Sequence, residues 1–232
     1  HVGMNVAADA FVNSAITGVN GGLVVLAADD PSMHSSQNEQ DSRFYGKFAM
    51  LPILEPSSQQ EAYDMMGYAY TLSEKMKLPV LMRVVTRLAH SRAGVEVADI
   101  REENQLKPDH ERAHWVLLPG NARKQYLDLV EKQEELEESS SKSPYNYVEG
   151  LNPEYDYEFG VIACGIGYNY VKEADTDGCH IPVLKISQYP LPAEEIRTMA
   201  ECCGHVLVVE DGQPFVEEQV KAILSSDYEI KG

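Results

Sequence analysis

The sequence contains no long hydrophobic run. Its most apolar stretches, residues 22–28 and 48–54, are far shorter than the roughly 18 residues that a membrane-spanning helix requires. The hydrophobic content of 44% is ordinary for a globular chain, so we expect a soluble protein without a membrane partner. At roughly 100–200 residues per domain, the 232 residues correspond to one or two domains, and we expect two.

Positive charge is scarce. The chain has 19 lysines and arginines against 37 aspartates and glutamates, which gives a formal net charge of −18. A surface of this sign repels phosphate backbones and anionic lipid surfaces. We therefore expect no nucleic-acid partner.

Cysteine pairs of the C-x-x-C type are absent as well. The four cysteines stand at positions 164, 179, 202 and 203, a spacing that suggests neither a zinc site nor an iron–sulfur cluster in this chain. We expect free thiols and no metal site. Free thiols fit a reducing cytoplasm, and no secretory leader can be recognised after the first residue, His1.

Strand-like and helical patterns alternate through residues 1–95. Apolar positions at helical spacing predict helices, and short continuous apolar runs predict strands that are covered on both faces. The predicted helices span residues 4–19 and 59–77, and the predicted strands span residues 22–28, 49–54 and 79–85. This alternation is typical of an α/β layered sheet with right-handed crossovers.

A charged, proline-containing stretch, residues 96–153, interrupts the pattern. Residues 121–139 predict a strongly charged helix. We interpret its charged run at residues 131–138 as a solvated helix face within an interdomain linker, with a partner-binding helix as the alternative. Residues 154–232 then predict a second α/β unit. Its strands are expected at residues 157–163, 182–186 and 205–210, and its helices at residues 168–174, 193–202 and 215–224.

Gly165 and Gly167 follow a predicted strand and precede a predicted helix. A dinucleotide-binding fingerprint would place its third glycine at position 170, which is Tyr170, and no acidic residue stands at the distance of a ribose clamp. We favour a tight strand-to-helix turn that needs small residues.

Polar side chains are concentrated in residues 31–43, directly after a predicted parallel strand. Ligands in open α/β sheets bind at such carboxyl ends, although a plain hydrophilic surface loop is the competing interpretation. Arginines gather at the same predicted edge, where guanidinium groups can bind a carboxylate or a phosphate. We expect Arg43, Arg83, Arg87 and Arg92 to form a local positive pocket for an anionic substrate, with pairing to surface carboxylates as the alternative.

Several blocks resemble a known enzyme family. A-D-D-P-S-M-H-S-S-Q-N-E-Q-D-S-R (residues 28–43), L-P-V-L-M-R (78–83) and T-R-L-A-H-S-R (86–92) are similar to consecutive blocks of the alpha subunit of indolepyruvate ferredoxin oxidoreductase. G-V-I-A-C-G-I-G-Y-N-Y-V-K-E-A (160–174) and V-L-V-V-E-D-G-Q-P-F-V-E-E-Q (206–219) resemble its transketolase C-terminal-type domain. The resemblance covers nearly the whole chain apart from residues 96–153.

The resemblance implies an α/β fold in two parts. Residues 1–95 would be the C-terminal half of a thiamine-diphosphate pyrimidine-binding domain, residues 96–153 a linker, and residues 154–232 a transketolase C-terminal-like domain. The family oxidatively decarboxylates indolepyruvate and other aryl pyruvates to the aryl-acetyl-CoA. It uses thiamine diphosphate with Mg²⁺, 4Fe-4S clusters, CoA, a beta subunit and ferredoxin as electron acceptor.

The chain departs from the family pattern in what it lacks. The family's thiamine-activating glutamate would precede His1, and its G-D-G motif and cysteine-rich segment would follow Gly232. We therefore expect an internal fragment of the subunit that has no turnover by itself.

The resemblance also implies roles for individual residues. His34 would be a catalytic, proton-transferring or polar neighbour of the decarboxylating carbon. The other residues expected to face substrate, cofactor or a neighbouring domain are His1, Asn5, Gln37, Asn38, Gln40, Asp41, Arg43, Arg87, His90 and Arg92.

Two alternatives remain open at this point. One is another 2-oxoacid:ferredoxin oxidoreductase, or a transketolase-like carboligase. The other is a non-catalytic module whose acidic helix and α/β faces only assemble a larger complex. The sequence contains no nucleophile elbow, H-E-x-x-H, P-loop or paired-carboxylate motif that would favour a different enzyme class.

Overall fold

The computed structural model describes residues 2–105, 107–175, 181–224 and 228–232. The helices are α1 (Val2–Thr17), α2 (Arg43–Phe48), α3 (Gln59–Met76), α4 (Thr86–His90), α5 (Pro119–Ser141), α6 (Gly167–Ala174), α7 (Ala193–Cys202) and α8 (Phe215–Ile223). The strands are β1 (Val24–Asp29), β2 (Ile53–Leu54), β3 (Val80–Val85), β4 (Tyr147–Glu149), β5 (Tyr157–Cys164), β6 (Val183–Ile186), β7 (Gln188–Tyr189), β8 (Cys203–Val209) and β9 (Glu229–Lys231).

The first sheet has the strand order β1-β3-β2-β7. Strands β1, β3 and β2 are parallel, and β7 pairs with β2 in the antiparallel direction. Strand β3 lies in the middle with Val80, Leu81 and Met82 buried, as its continuous apolar run predicts for a strand covered on both faces.

Helix α3 begins and ends close to the predicted positions. The Ser58 hydroxyl accepts a hydrogen bond from the backbone N–H of Glu61 at 3.2 Å, which caps the first turn. Lys77 ends the helix in the left-handed conformation, with φ at 57°.

The predicted strand at residues 49–54 is mostly wrong. Residues 43–48 form helix α2, which the sequence pattern did not indicate. The backbone N–H of Ala49 still bonds to the carbonyl oxygen of Tyr45, and Met50 has φ at 57°, so the chain turns before it can extend. Only Ile53 and Leu54 therefore reach the sheet.

The second sheet has the strand order β4-β6-β5-β8-β9. Strands β6, β5, β8 and β9 are parallel, and β4 is antiparallel to β6. The strands and helices predicted for residues 157–224 are all present, within two residues at each end. These elements confirm an α/β architecture with parallel sheets.

Residues 96–105 lie along the surface of α3. Arg101 donates to the carbonyl oxygen of Gly67 at 3.1 Å, and Asn104 donates to Glu74 at 2.7 Å. Helix α5 then packs into the interior, since Leu129 and Leu136 are buried. Its charged side lies at the surface, where Glu131, Glu134 and Glu138 are exposed, so the predicted solvated helix face is present while the apolar side contacts the folded body.

The two sheets share one continuous hydrophobic core, which contains Leu54 of the first and Ile162 of the second. A buried ion pair joins them as well, since Lys185 Nζ lies 2.5 Å from Glu61 Oε1. The division at residues 95/96 and 153/154 stays a prediction. No helix within the described ranges is long and apolar enough to cross a membrane.

Candidate functional site at the strand ends

Charged side chains meet where the strands of the first sheet end. Asp29 is the last residue of β1, Glu55 follows β2, and Arg83 lies within β3. Because β1, β2 and β3 are parallel, their carboxyl ends form one edge, which is where α/β sheets place ligand-binding groups.

Arg83 is the centre of this edge, and its side chain is fully buried. Its Nε lies 2.7 Å from Asp29 Oδ2, and its Nη1 donates to Glu55 Oε1. Its Nη2 donates at 2.7 Å to the backbone carbonyl oxygen of Asp211, which belongs to the second α/β unit. Arg83 therefore ties three strand ends together across the two sheets.

Arg43 makes a second bridge of the same kind. Its Nη2 lies 2.5 Å from Asp41 Oδ2 and 3.1 Å from the carbonyl oxygen of Gln213, and its Nη1 lies 2.8 Å from Glu210 Oε2. The guanidinium also stands over the Phe215 ring, 5.1 Å from the ring centroid.

We call the six buried or nearly buried side chains at this place the junction network. Its members are Asp29, Asp41, Arg43, Glu55, Arg83 and Glu210. Burial would lower the pKa of Arg43, but the Glu55 and Asp41 carboxylates outweigh it and raise that pKa well above its ordinary value. Both guanidiniums therefore stay charged. Their buried positive charge is balanced by carboxylates in direct contact.

The carboxylates of the junction network respond to burial in different ways. Burial would raise the pKa of Asp41, but the hydrogen bond from Arg43 and the charge of Arg83 lower it. Burial raises the pKa of Glu210, and the charge of Arg43 offsets only part of this effect. Glu210 also accepts hydrogen bonds from the first N–H groups of α8, at Val216 and Glu217.

The expected positive pocket of four arginines is wrong. Arg43 and Arg83 are paired with carboxylates, as the alternative expected, but these carboxylates are buried and do not lie on the surface. Arg87 is exposed and stands over the Tyr170 ring at 5.4 Å, and Arg92 lies on the surface beyond α4. The physical reason is that a buried guanidinium is stable only beside matching negative charge.

The remaining predicted residues within the described ranges lie in three places, and their roles stay predictions. His34, Gln37 and Asn38 are exposed on the loop between β1 and α2, where the half-buried Gln40 donates to Asn38 at 3.1 Å. Outside that loop, Asn5 is exposed on α1 and accepts a hydrogen bond from Tyr45, His90 is exposed at the end of α4, and His1 lies outside the described residues.

Sequence reasoning missed the partners of the arginines. Asp29, Glu55 and Glu210 each stand at the end of a strand or directly after it, and this common position was the available signal. The Gly165 turn is explained by the same packing. A Cβ at Gly165 would lie 2.5 Å from Glu55 Cγ, so the tight-turn interpretation is supported.

The described residues do not fit the metal-containing groups of the resembled family. No set of three or more His, Cys, Asp or Glu side chains among them is arranged to hold a metal ion. Cys164, Cys202 and Cys203 are free thiols, and burial raises the pKa of Cys203 to about 11. Since thiolates are the ligands of iron–sulfur clusters, these cysteines are poor candidates, and Cys179 lies outside the described residues.

Known structures define the class of fold. The chain superimposes on a 2-oxoglutarate:ferredoxin oxidoreductase from Magnetococcus marinus with a TM-score of 0.71, covering 99% of this chain and 48% of that chain at 13% sequence identity. The fold is therefore that of two α/β units of a 2-oxoacid:ferredoxin oxidoreductase, which agrees with a partial pyrimidine-binding domain followed by a transketolase C-terminal-like domain.

Sequence relatives then identify the family. The indolepyruvate oxidoreductase subunit IorA of Archaeoglobus fulgidus is 46% identical over 227 residues, covering 96% of this chain and 36% of the relative. The subunit of the same name from Methanothermobacter thermautotrophicus is 44% identical over 240 residues, covering 100% of this chain and 38% of the relative. The chain belongs to this IorA family and spans little more than a third of these relatives' length. No protein-family model matches it.

Proposed function

We propose that the chain forms part of a cytoplasmic enzyme that oxidatively decarboxylates indolepyruvate and other aryl pyruvates to the aryl-acetyl-CoA. Electrons would pass to ferredoxin, and a beta subunit would complete the enzyme. The names of the sequence relatives support an oxidoreductase subunit that acts on indolepyruvate. The observation that supports a role for this chain in substrate binding is the exposed loop at the carboxyl end of β1. The end of this loop is fixed by the junction network.

The remainder of the complete enzyme would hold the cofactors, since the described residues do not fit a metal-containing group. Thiamine diphosphate with Mg²⁺ supplies the carbanion chemistry when bound, and 4Fe-4S clusters carry the electrons. This chain would contribute one surface of the substrate-binding site. Its loop presents His34, Gln37 and Asn38 outward, while Asp41 and Arg43 fix the end of the loop against the second unit.

His34 has the chemistry that the site needs. Imidazole is the side chain that most often acts as a general acid or base, and the exposed position of His34 leaves it free to approach a substrate carbonyl or carboxylate. Arg87 and Arg92 are exposed at the neighbouring strand end and would bind the substrate carboxylate or a CoA phosphate.

Replacement of His34 by alanine tests this proposal in the complete two-subunit enzyme. We expect kcat/KM for indolepyruvate to fall by about 10²-fold or more, the usual contribution of a general acid or base. The matched control is His110→Ala. His110 is also an exposed histidine, and it lies outside the loop at residues 31–43. Unchanged kcat and KM in the His34 variant would remove the loop from the site.

Substrate preference separates the competing enzyme classes. The same preparation should turn over indolepyruvate faster than pyruvate or 2-oxoglutarate when ferredoxin reduction is followed. A higher kcat/KM for either small 2-oxoacid would favour the alternative oxidoreductase, and no turnover of any 2-oxoacid would favour a non-catalytic assembly module.

A further inference from the structure

Asp30, the residue directly after β1, is a buried carboxylate without a cationic neighbour. It is 5% exposed, and no lysine, arginine or histidine nitrogen of the described chain lies within ion-pair distance of it. Its Oδ1 accepts the Thr86 hydroxyl at 2.6 Å, and its Oδ2 accepts the backbone N–H groups of Ser35 at 2.8 Å and Ser36 at 2.9 Å.

These hydrogen bonds are strong because the acceptor is charged. The Thr86 hydroxyl first, and then the Ser35 amide, lower the pKa of Asp30 below its ordinary value. Thr86 begins α4 after the neighbouring strand β3. Asp30 therefore links the loop after β1 to the end of the next strand, without contributing to the junction network.

The segment between Asp30 and the two serine amides that it binds is strained. Ser32 has φ at 63° and Met33 has φ at 53°, so two consecutive residues with a Cβ adopt the left-handed conformation. This conformation is uncommon outside glycine, asparagine and aspartate, and it persists only where the surroundings determine it. The Ser32 N–H is also bound, by Glu39 Oε2 at 3.2 Å.

The side chains of the strained segment are exposed. Met33 is 50% exposed and His34 is exposed, while the Asp30 carboxylate binds the backbone N–H groups of the next two residues, Ser35 and Ser36. A loop whose backbone is already ordered binds a ligand with a smaller loss of conformational entropy.

We infer that Asp30 and Thr86 are positioning residues that hold Met33 and His34 against the aryl pyruvate, with the Met33 thioether contacting the aromatic ring. Thioether sulfur makes favourable contacts with aromatic rings, which matches an aryl substrate and not a small aliphatic 2-oxoacid. This inference rests on the proposed function, since that proposal places the loop against the substrate.

The test compares three threonine variants in the complete two-subunit enzyme. Thr86→Val removes the hydroxyl and should raise KM for indolepyruvate about tenfold, the fold-change for losing a hydrogen bond to a charged group, with a smaller change in kcat. Thr86→Ser keeps the hydroxyl and should restore KM. Thr198→Val is the control, because Thr198 is on the exposed side of α7 and its hydroxyl donates to the carbonyl oxygen of Glu194 in the same helix.

Hydrogen exchange measures the positioning directly. Asp30→Asn and Thr86→Val should both speed amide exchange at residues 32–36 of the same enzyme, and Thr86→Val keeps the test usable should the asparagine variant fail to fold. Unchanged exchange would overturn the inference. An unaltered KM in Thr86→Val beside an impaired His34→Ala would overturn the inference alone, whereas unaltered kinetics in both variants would overturn the proposed function together with it.

Discussion

The two ends of one polar loop, residues 31–43, have opposite environments. His34 and Gln37 near its beginning are exposed, whereas Asp41 and Arg43 at its end are buried. The residue types are equally polar at both ends. The comparison shows that polar composition alone does not distinguish a surface that meets a ligand from a charged contact inside the protein.

The second α/β unit causes the difference. Gln213 and Glu210 approach the end of the loop and supply the acceptors for the Arg43 guanidinium. No such element covers His34 among the described residues. Burial of the charged end is therefore stabilised by partners that lie about three-quarters of the chain away, and the exposed end depends only on its own loop and on Thr86.

Removing the buried guanidinium should have the largest effect on this contrast. Arg43→Met leaves Glu210 buried without a matching charge and leaves Asp41 with Arg83 as its cationic neighbour, so the free energy of unfolding should fall by about 3–5 kcal/mol in urea denaturation. The control is Arg197→Met, because the ion pair of Arg197 with Glu194 is exposed and contributes at most about 1 kcal/mol. Equal losses in the two variants would contradict the distinction between buried and exposed ends.

Gly212→Ala should have the next largest effect. Gly212 has φ at 126°, and a Cβ there would lie 2.8 Å from Asp41 Oδ2 and 2.9 Å from Arg83 Nη2. We expect a loss of about 1–3 kcal/mol of unfolding free energy, because the backbone is strained and the junction network must shift. Gly120→Ala is the matched control, since nothing lies within 4 Å of its added Cβ. Equal melting temperatures for the two variants at neutral pH would contradict the close packing of Gly212 against Asp41 and Arg83.

Acidification should have the smallest effect on the free energy of unfolding. The effect should have opposite signs at Asp41 in the first unit and at Glu210 in the second. The pKa of Asp41 is lowered from 3.8, so its contribution to stability is complete above about pH 4 and is lost as the pH falls further. The pKa of Glu210 is raised from 4.5, so its carboxylate destabilises the fold as the pH rises above that value.

Urea denaturation at pH 3, 5 and 7 measures both terms. Asp41→Asn should flatten the loss of stability below pH 4, and Glu210→Gln should flatten the loss of stability as the pH rises above 4.5. If the two variants had identical pH profiles, Asp41 and Glu210 would not affect the pH dependence of stability in opposite directions.

Much of the local structure was predictable from the residues. Helix α3 was predicted at residues 59–77 and occurs at Gln59–Met76, and α7 was predicted at residues 193–202 and occurs at Ala193–Cys202. One exception is α2, because this helix and the turn that follows it leave only Ile53 and Leu54 of the predicted strand at residues 49–54 in the sheet. Tyr45 of α2 packs against the core and donates a hydrogen bond to Asn5 of α1, a contact that no local pattern encodes.

The sequence by itself determined the order of helices and strands, the family, and the chemical character of the residues 31–43 loop. These properties depend on side chains within a few positions of one another, and capping and periodicity act over that range. Only the tertiary structure decided which charges are buried and which are exposed. Arg43 contacts Glu210 and Gln213, and Arg83 contacts Asp211, so their environment depends on how the second unit packs against the strand ends. Long-range electrostatic pairing of this kind follows from the packing of whole elements.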